Sequence, residues 1–305
     1  MTPNPANILS ASRRTDIPGF YMDWFMEHIR IGSFEIKNPY NRIVKKIEVS
    51  IESIHSIVFW SKNYEIFIHS RAGEKLRRLG FNLYFNFTIN SESALLEPGV
   101  LPLSQRLNQL ESLSSLFGAE NIAWRFDPVC FYKTEPDGCE KNNLSDFALI
   151  SEKASGLGIK KCVTSFLDIY PKIHKRLQYL SRKKTIPLIF TNPCLEKKLQ
   201  VLQWMEKHLS QLNMHLSLCC EKELASHPDT GSTILENACV DGNLLKANFG
   251  GLPETKRDYG QRSKQGCRCT RSIDIGSYDE HPCFHNCIFC YAAPDIDKRL
   301  KKDET

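Results

Sequence analysis

Short, continuously apolar runs recur along this chain, and segments with helical periodicity separate them. Asn7-Ile-Leu-Ser-Ala-Ser12, Ser56-Ile-Val-Phe-Trp60 and Asn82-Leu-Tyr-Phe-Asn-Phe-Thr88 read as strands. So do Ile122-Ala-Trp-Arg-Phe126, Lys161-Cys-Val-Thr-Ser-Phe166 and His215-Leu-Ser-Leu-Cys219. A strand that stays apolar throughout is buried on both faces, as in a parallel sheet, and the intervening helices supply the crossovers such a sheet requires. The expectation is an α/β fold: a full or partial TIM-type (β/α) barrel over residues 1–224. A loop-rich, cysteine-bearing C-terminal tail, residues 225–305, should pack on it. Within the barrel, one helix is expected over Tyr64 to Leu79, and another opens with Asn192 as its cap and Pro193 at its first position.

In such barrels the working residues lie at the C-terminal ends of the strands. Those ends carry Arg14 and Asp16, Lys62 and Asn63, Asn86 and Asn90, Arg125 and Asp127, Asp168, and Cys219 with Glu221. Arg14, Asp16, Arg125 and Asp127 are the substrate- or cofactor-facing candidates. Arg125 sits inside a Trp-Arg-Phe strand, so an inward-pointing guanidinium there must find a partner.

Nothing in the composition points to an unusual class. The 305 residues are 41% hydrophobic, enough for a sizeable core, and the formal net charge of +5 permits a nucleic-acid partner without implying one. No apolar run approaches the roughly 20 residues that span a bilayer, so no membrane role is expected. Nothing at the N-terminus reads as a signal peptide, and a cytoplasmic setting follows as the expectation. There, the twelve cysteines are better read as free thiols and ligands than as bridges.

Three of those thiols lie close together in Cys283-Phe-His-Asn-Cys287-Ile-Phe-Cys290-Tyr291. That spacing lets one loop turn three sulfurs toward one point. Three thiolates hold three irons of a 4Fe–4S cluster and leave the fourth iron open. The competing reading is structural zinc, with His281 or His285 as a fourth ligand. Phe289 and Tyr291 add flat apolar surface beside the thiols. Earlier come Cys267-x-Cys269, Cys239 and the adjacent pair Cys219-Cys220. Four thiolates from these would complete a closed site, either a second 4Fe–4S cluster or zinc. Cys130, Cys139, Cys162 and Cys194 are scattered and read as ordinary.

The pattern C-x3-C-x-aromatic-C resembles the signature of radical S-adenosylmethionine (SAM) enzymes. The resemblance implies SAM chelated at the open iron, an electron donor for the cluster, and a 5′-deoxyadenosyl radical that abstracts hydrogen. Phe289 would then pack on the adenine or the cluster, with Tyr291 beside it. Two features depart from that superfamily. The cysteine loop closes the chain instead of following the first strand, and Gly250-Gly251 is followed by Leu252 and Pro253, not by the glutamate that holds the SAM amino group.

Longer stretches resemble the domain-of-unknown-function family numbered eighteen forty-eight. They are Ser10-Ala-Ser-Arg-Arg-Thr-Asp16, Val58-Phe-Trp-Ser-Lys-Asn63, Trp124-Arg-Phe-Asp-Pro128 and Ser165-Phe-Leu-Asp168. Cys219-Cys-Glu221, Cys239-Val-Asp-Gly242, Gln261-Arg262 running into Cys267-x-Cys269, and Asp274-Ile-Gly-Ser-Tyr278 continue the match into the final cysteine loop. The match places Cys219, rather than Cys220, with Cys239, Cys267 and Cys269. The functional expectation is a radical-SAM-like enzyme acting on a small molecule, peptide or nucleic acid. The alternative is a non-catalytic barrel that binds a metabolite or nucleic acid and carries structural zinc or iron–sulfur sites.

Overall fold

In a computed structural model, which describes residues 4–37, 41–182, 188–231 and 233–292, the six apolar runs all become strands of one sheet. They are β1 (Asn7–Ala11), β2 (Ile54–Ser61), β3 (Asn82–Thr88), β4 (Ile122–Val129), β5 (Lys161–Phe166) and β6 (His215–Leu218). Two short strands from the C-terminal segment join them, β7 (Leu235–Glu236) and β8 (Ile273–Asp274). The order across the sheet is β7-β6-β5-β4-β3-β2-β1-β8, and every neighbouring pair is parallel. No pairing between β7 and β8 closes the sheet among the described residues.

From β1 to β7 the order never reverses. Right-handed crossovers between successive parallel strands therefore carry their helices to the same face. Side chains alternate across the sheet with period two. Leu9, Ile57, Phe59, Phe85, Phe87, Trp124 and Phe126 belong to the large apolar core. Ile8, Val58, Tyr84, Ala123 and Val163 point the other way and pack against Cys219, Cys239, Val240, Leu245, Cys267 and Cys269. The C-terminal segment is thus the cover of the second face. Its helix Gly242–Phe249 is fixed at the start by Asp241, whose side chain accepts from the N–H groups of Asn243 and Leu244.

Several local expectations need correction. The helix expected over Tyr64 to Leu79 is two, Glu65–His69 and Ala72–Arg78, with Arg71 between them at φ 54°. The break lets Gly73 approach Phe67 and Phe117 so closely that an added Cβ would lie 2.3 Å from a Phe117 ring carbon. The helix expected at Asn192 starts later, spanning Leu195–Gln211 with Cys194 at its cap and no side-chain cap bond. Ile189–Thr191 instead pairs antiparallel with Phe131–Lys133, which holds the chain extended just before Asn192. The C-terminal segment is loop-rich as expected, yet it adds two strands to the sheet. Its two strands have two residues each, too few to show a period. Among the described residues, no helix is long and apolar enough to cross a membrane.

Phe85 tests the core on the helix side. It is fully buried among Phe59, Tyr64, Phe67 and Phe117, with ring centroids 5.0 Å from Phe117 and 5.5 Å from Phe67. Phe85→Ala is expected to cost about 3–5 kcal/mol in denaturant unfolding. Leu149→Ala, at a position 52% exposed, should stay within about 0.5 kcal/mol.

Candidate functional site

The loop Cys283–Tyr291 lies across the C-terminal ends of β1 and β2. Its approach is set at β8, where Asp274 accepts from Ser10 Oγ (3.0 Å), Ser12 Oγ (2.7 Å) and the Arg13 N–H (2.8 Å). Asp16 then holds the loop itself. One carboxylate receives the Gly19 N–H (2.7 Å), the Ser61 hydroxyl and the Lys62 N–H (2.9 Å), and its Oδ2 bonds His285 Nε2 at 2.7 Å. A single buried acid therefore ties together the start of a helix, the end of β2 and the cysteine loop. The other side of the loop rests on backbone. Gly99 N–H donates to the His285 carbonyl (2.9 Å), and Ile288 N–H donates to the Leu96 carbonyl (2.9 Å). Arg176 Nη1 donates to the carbonyls of Ile288 (2.5 Å) and Cys290 (3.1 Å), and the Tyr291 hydroxyl donates to the Arg13 carbonyl at 2.6 Å.

The three thiols of this loop share one charged neighbour, Lys62. Its Nζ donates to Glu97 Oε1 at 2.5 Å and lies 5.6 Å from the centre of the Phe289 ring. Cys287 Sγ is 3.8 Å from the same Glu97 oxygen. Burial raises the pKa of all three thiols, so they resist carrying charge unless a cation is supplied. Both histidines named as possible fourth ligands are engaged elsewhere. His285 meets Asp16 through Nε2 and the Gly99 carbonyl through Nδ1. His281 packs on Trp24 with ring centroids 4.2 Å apart, and its Nδ1 faces the Ser277 N–H. The thiol set at this loop is thus three cysteines without a histidine.

A second group of thiols lies on the face of the sheet that the C-terminal segment covers. Cys219 Sγ is 3.4 Å from Cys239 Sγ and 3.8 Å from Cys220 Sγ. Cys239 also meets Cys269, Cys269 meets Cys267, and Cys267 meets Cys220, which closes a circuit of five. Among the described residues, neither here nor at the Cys283 loop do three His, Cys, Asp or Glu side chains surround a common point as they would a bound ion. The sulfurs are strung as neighbours around a ring.

The surroundings of that ring are cationic. Arg125 Nη1 donates to Cys239 Sγ (2.8 Å) while its other nitrogen pairs with Asp127. Arg13 lies against Cys269, and the two guanidiniums flank Trp60 at 5.2 and 5.4 Å from the ring centre. Arg262, bonded to Asp168 at 2.8 Å, acts on Cys219 and Cys220. Contact with Cys239, then with Cys267, and the nearby Arg13 hold the Cys269 thiol well below the usual range. The Cys219 thiol is pushed up to about 12, first by its contact with Cys220. Near the ring, Arg13 Nη2, Asn86 Oδ1 and Asn237 Oδ1 are buried without a hydrogen-bond partner. Each of the three guanidiniums also has a carboxylate nearby, Asp127 for Arg125, Asp274 for Arg13 and Asp168 for Arg262.

The family model for "Domain of unknown function (DUF1848)" matches residues 8–292. The chain belongs to this family. No curated protein matches it. The matched span runs from β1 past Tyr291, so the DUF1848 unit includes the whole sheet and both thiol groups.

The residues singled out from sequence occupy distinct places in this DUF1848 chain. Cys283, Cys287 and Cys290 share one environment with Phe289, while Cys219, Cys239, Cys267 and Cys269 share another. Asp16 is committed to the contacts that seat the loop. Arg14 Nη1 donates to the Gly276 carbonyl at 3.1 Å. Arg125 and Asp127 form an ion pair beside the thiol ring, and Ser165 Oγ donates to Asp127 at 2.5 Å. Tyr291 is half exposed, with its ring 6.3 Å from that of Tyr170.

Sequence reasoning passed over Arg13 and Glu97, and set Cys219 ahead of Cys220. Cys220 follows Cys219 directly, and strand alternation would turn it away. Its backbone at φ 61° ends the strand and returns the thiol to the ring. Glu97 in Leu95-Leu-Glu-Pro-Gly99 did carry a signal, an acid between two leucines and a turn.

Gly99 provides a test of how the loop is seated. A Cβ there would lie 2.5 Å from the Phe284 carbonyl oxygen and 2.7 Å from that of His285. Gly99→Ala is expected to leave far-UV circular dichroism unchanged while speeding limited proteolysis within 283–291 at least several-fold. Equal protection in the variant would mean that the loop does not depend on this contact.

Proposed function

We propose that this chain is a radical-SAM-like iron–sulfur enzyme in which Cys283, Cys287 and Cys290 hold a 4Fe–4S cluster at the mouth of a TIM-like (β/α) barrel. The observation that carries the reading is a three-thiol loop with no histidine free to complete it, fixed at the C-terminal ends of the strands. A closed structural zinc site needs a fourth protein ligand, whereas a cluster with an open iron does not. The order of the strands supports the barrel, and twelve free thiols suit a reducing, cytoplasmic setting.

Bound by Cys283, Cys287 and Cys290, such a cluster would supply the one-electron reduction of the SAM sulfonium that radical chemistry on a substrate needs, with the electron coming from a donor. The chain's own residues position and shield. Asp16 and His285 fix the loop, Arg176 holds its carbonyls, and Phe289 with Lys62 forms its inner wall. Arg14, Arg125 and Asp127 are the residues proposed to face the substrate or SAM.

The second group belongs to the same proposal as a metal site of Cys219, Cys239, Cys267 and Cys269, with Cys220 alongside. Tetrahedral zinc with bonds of about 2.3 Å sets its sulfurs about 3.8 Å apart. Of the proposed ligands, Cys219 and Cys239 lie 3.4 Å apart, which is close to that and favours zinc over a second, wider cluster. The same compactness supports the second reading of the protein, a non-catalytic barrel with structural zinc.

Anaerobic reconstitution with iron, sulfide, SAM and dithionite separates these readings. The expected result is a brown protein that releases 5′-deoxyadenosine, with Cys287→Ala reducing the yield at least 100-fold. Cluster-loaded protein that makes none would overturn the SAM reading, and colourless protein holding zinc at both thiol groups would overturn the enzyme. At the ring, Cys267→Ala should lose metal and render the Cys283 loop more protease-sensitive, since metal-binding energy there holds the segment folded. The exposed Cys194, changed to Ala, should do neither.

A further inference from the structure

We infer that the cavity between the N-terminal ends of β5 and β6 and the C-terminal segment is a second ligand site, which takes a small phosphorylated sugar with Lys161 and Arg257 receiving the phosphate. The site lies apart from the Cys283 loop, and the inference needs neither the cluster nor SAM.

Placement is the first argument. Lys161 opens β5 and stands in register with His215, the first residue of β6. Lys161 and Val163 share a face by strand alternation, and Val163 lies on the face that the C-terminal segment covers. That segment contributes Asp241, Asn243, Thr255, Arg257 and Arg268 to the lining. The cavity is about 430 Å³, within the roughly 300–1,000 Å³ that small-molecule sites occupy and well beyond a lone phosphate group. β5 has six residues. At about 3.3 Å per residue its start is roughly 16 Å from its end, so the cavity lies at the opposite end of the sheet from the mouth.

Charge is the second. Arg268 is paired with Glu236 through both Nε (2.6 Å) and Nη2. The other two strong cations have no such partner. The part-buried Lys161 ammonium makes no hydrogen bond or ion pair with a described residue. Asp241 acts on it only from beyond ion-pair distance, and Asp241 Oδ1 is committed to the N–H groups of Asn243 and Leu244 at the helix start. Arg257 donates from Nη2 to the Cys267 carbonyl (3.0 Å), has no acid within ion-pair distance among the described residues, and its Nε is buried without a partner. Burial pulls the Lys161 ammonium below its usual range despite Cys239 and Asp241. Two part-buried cations with no acid against them are costly until an anion joins them. A phosphate monoester brings about two negative charges at neutral pH and accepts charge-assisted hydrogen bonds from lysine and arginine together.

The remaining walls select what the phosphate is attached to. Ser217, Asn243 and Thr255 are neutral and polar, Asp241 adds an acceptor, and the apolar part of the lining is Leu235 and Ala238. Walls of this kind suit hydroxyl groups. No Phe, Tyr or Trp is among the described lining residues, so a nucleotide base would have no such ring to stack on. A dicarboxylate would match the charge and leave the hydroxyl-binding walls unused.

Calorimetry on the full-length protein tests the site, with ribose 5-phosphate and glucose 6-phosphate as probes and with inorganic phosphate, ribose, AMP and succinate for comparison. At least one sugar phosphate is expected to bind 10-fold or more tightly than each of the four comparison compounds. Lys161→Met should weaken that binding at least 10-fold. Thr255→Trp, at an exposed position on the rim, should do the same by filling the cavity, and it keeps the test sound should the first variant misfold. Lys207→Met, exposed on the helix Leu195–Gln211, should stay within twofold of the parent. Sugar phosphates that bind no better than inorganic phosphate overturn the inference, and so does tighter binding of AMP or succinate. Affinity within twofold of the parent in both Lys161→Met and Thr255→Trp places the ligand elsewhere and overturns the site.

Discussion

A parallel sheet whose strand order does not reverse has all its crossover helices on one side, and its other face must be covered by something else. In a closed barrel the sheet covers that face with itself. Here the sheet ends at β7 and β8 without pairing between them among the described residues, and the C-terminal segment does the covering. The same segment supplies both edge strands, β7 beside β6 and β8 beside β1. Sheet, cover and cysteine loop are for this reason one structural problem.

Apolar contact alone gives this cover little to work with. The inner face offers Ile8, Val58, Tyr84, Ala123 and Val163, and what lies on them is largely sulfur. Trp60, between two guanidiniums, continues that face toward the mouth. Two arginines beside buried thiols would be a costly arrangement if the thiols stayed neutral, because each buried cation needs an anion. Asp127 answers Arg125 and Asp274 lies beside Arg13, yet in both cases burial opposes the charge and a thiol contributes to holding it. Of the ring thiols, Cys269 alone is held below the usual range, so the carboxylates are the partners the guanidiniums have as the ring stands, and the proposed metal would add thiolates to them.

The helix-covered half of this architecture was legible in the sequence. Ile57 and Phe59 alternate with Val58 and Trp60, which is the mark of a strand buried twice, and every apolar run of this kind became a strand of the sheet. Less legible were features set by contacts distant in sequence. Arg71 breaks a run with good helical periodicity because Gly73 must close on Phe117, thirty or more positions away, and no local pattern encodes that. β8 has two residues, and it is a strand because Asp274 is bonded by Ser10, Ser12 and Arg13. At the site, cysteine spacing pointed to both thiol groups. Spacing could not show that His285 belongs to Asp16, that Cys220 turns back to the ring, or that Glu97 stands beside Cys287.

The two thiol groups are linked through the backbone of one short stretch. Arg13 places its guanidinium by Cys269, its N–H on Asp274 and its carbonyl on the Tyr291 hydroxyl. Three residues further on, Asp16 holds His285. The strand end and turn after β1 therefore touch the ring, the last edge strand, and the cysteine loop at His285 and at Tyr291. Any displacement of the ring would reach the loop through this turn, with no need for a longer path through the core. The span that the family model matches, residues 8–292, accordingly holds both thiol groups and the first strand of this chain together. Ser10 to Asp16 works on the segment that closes the chain, and neither part is complete alone.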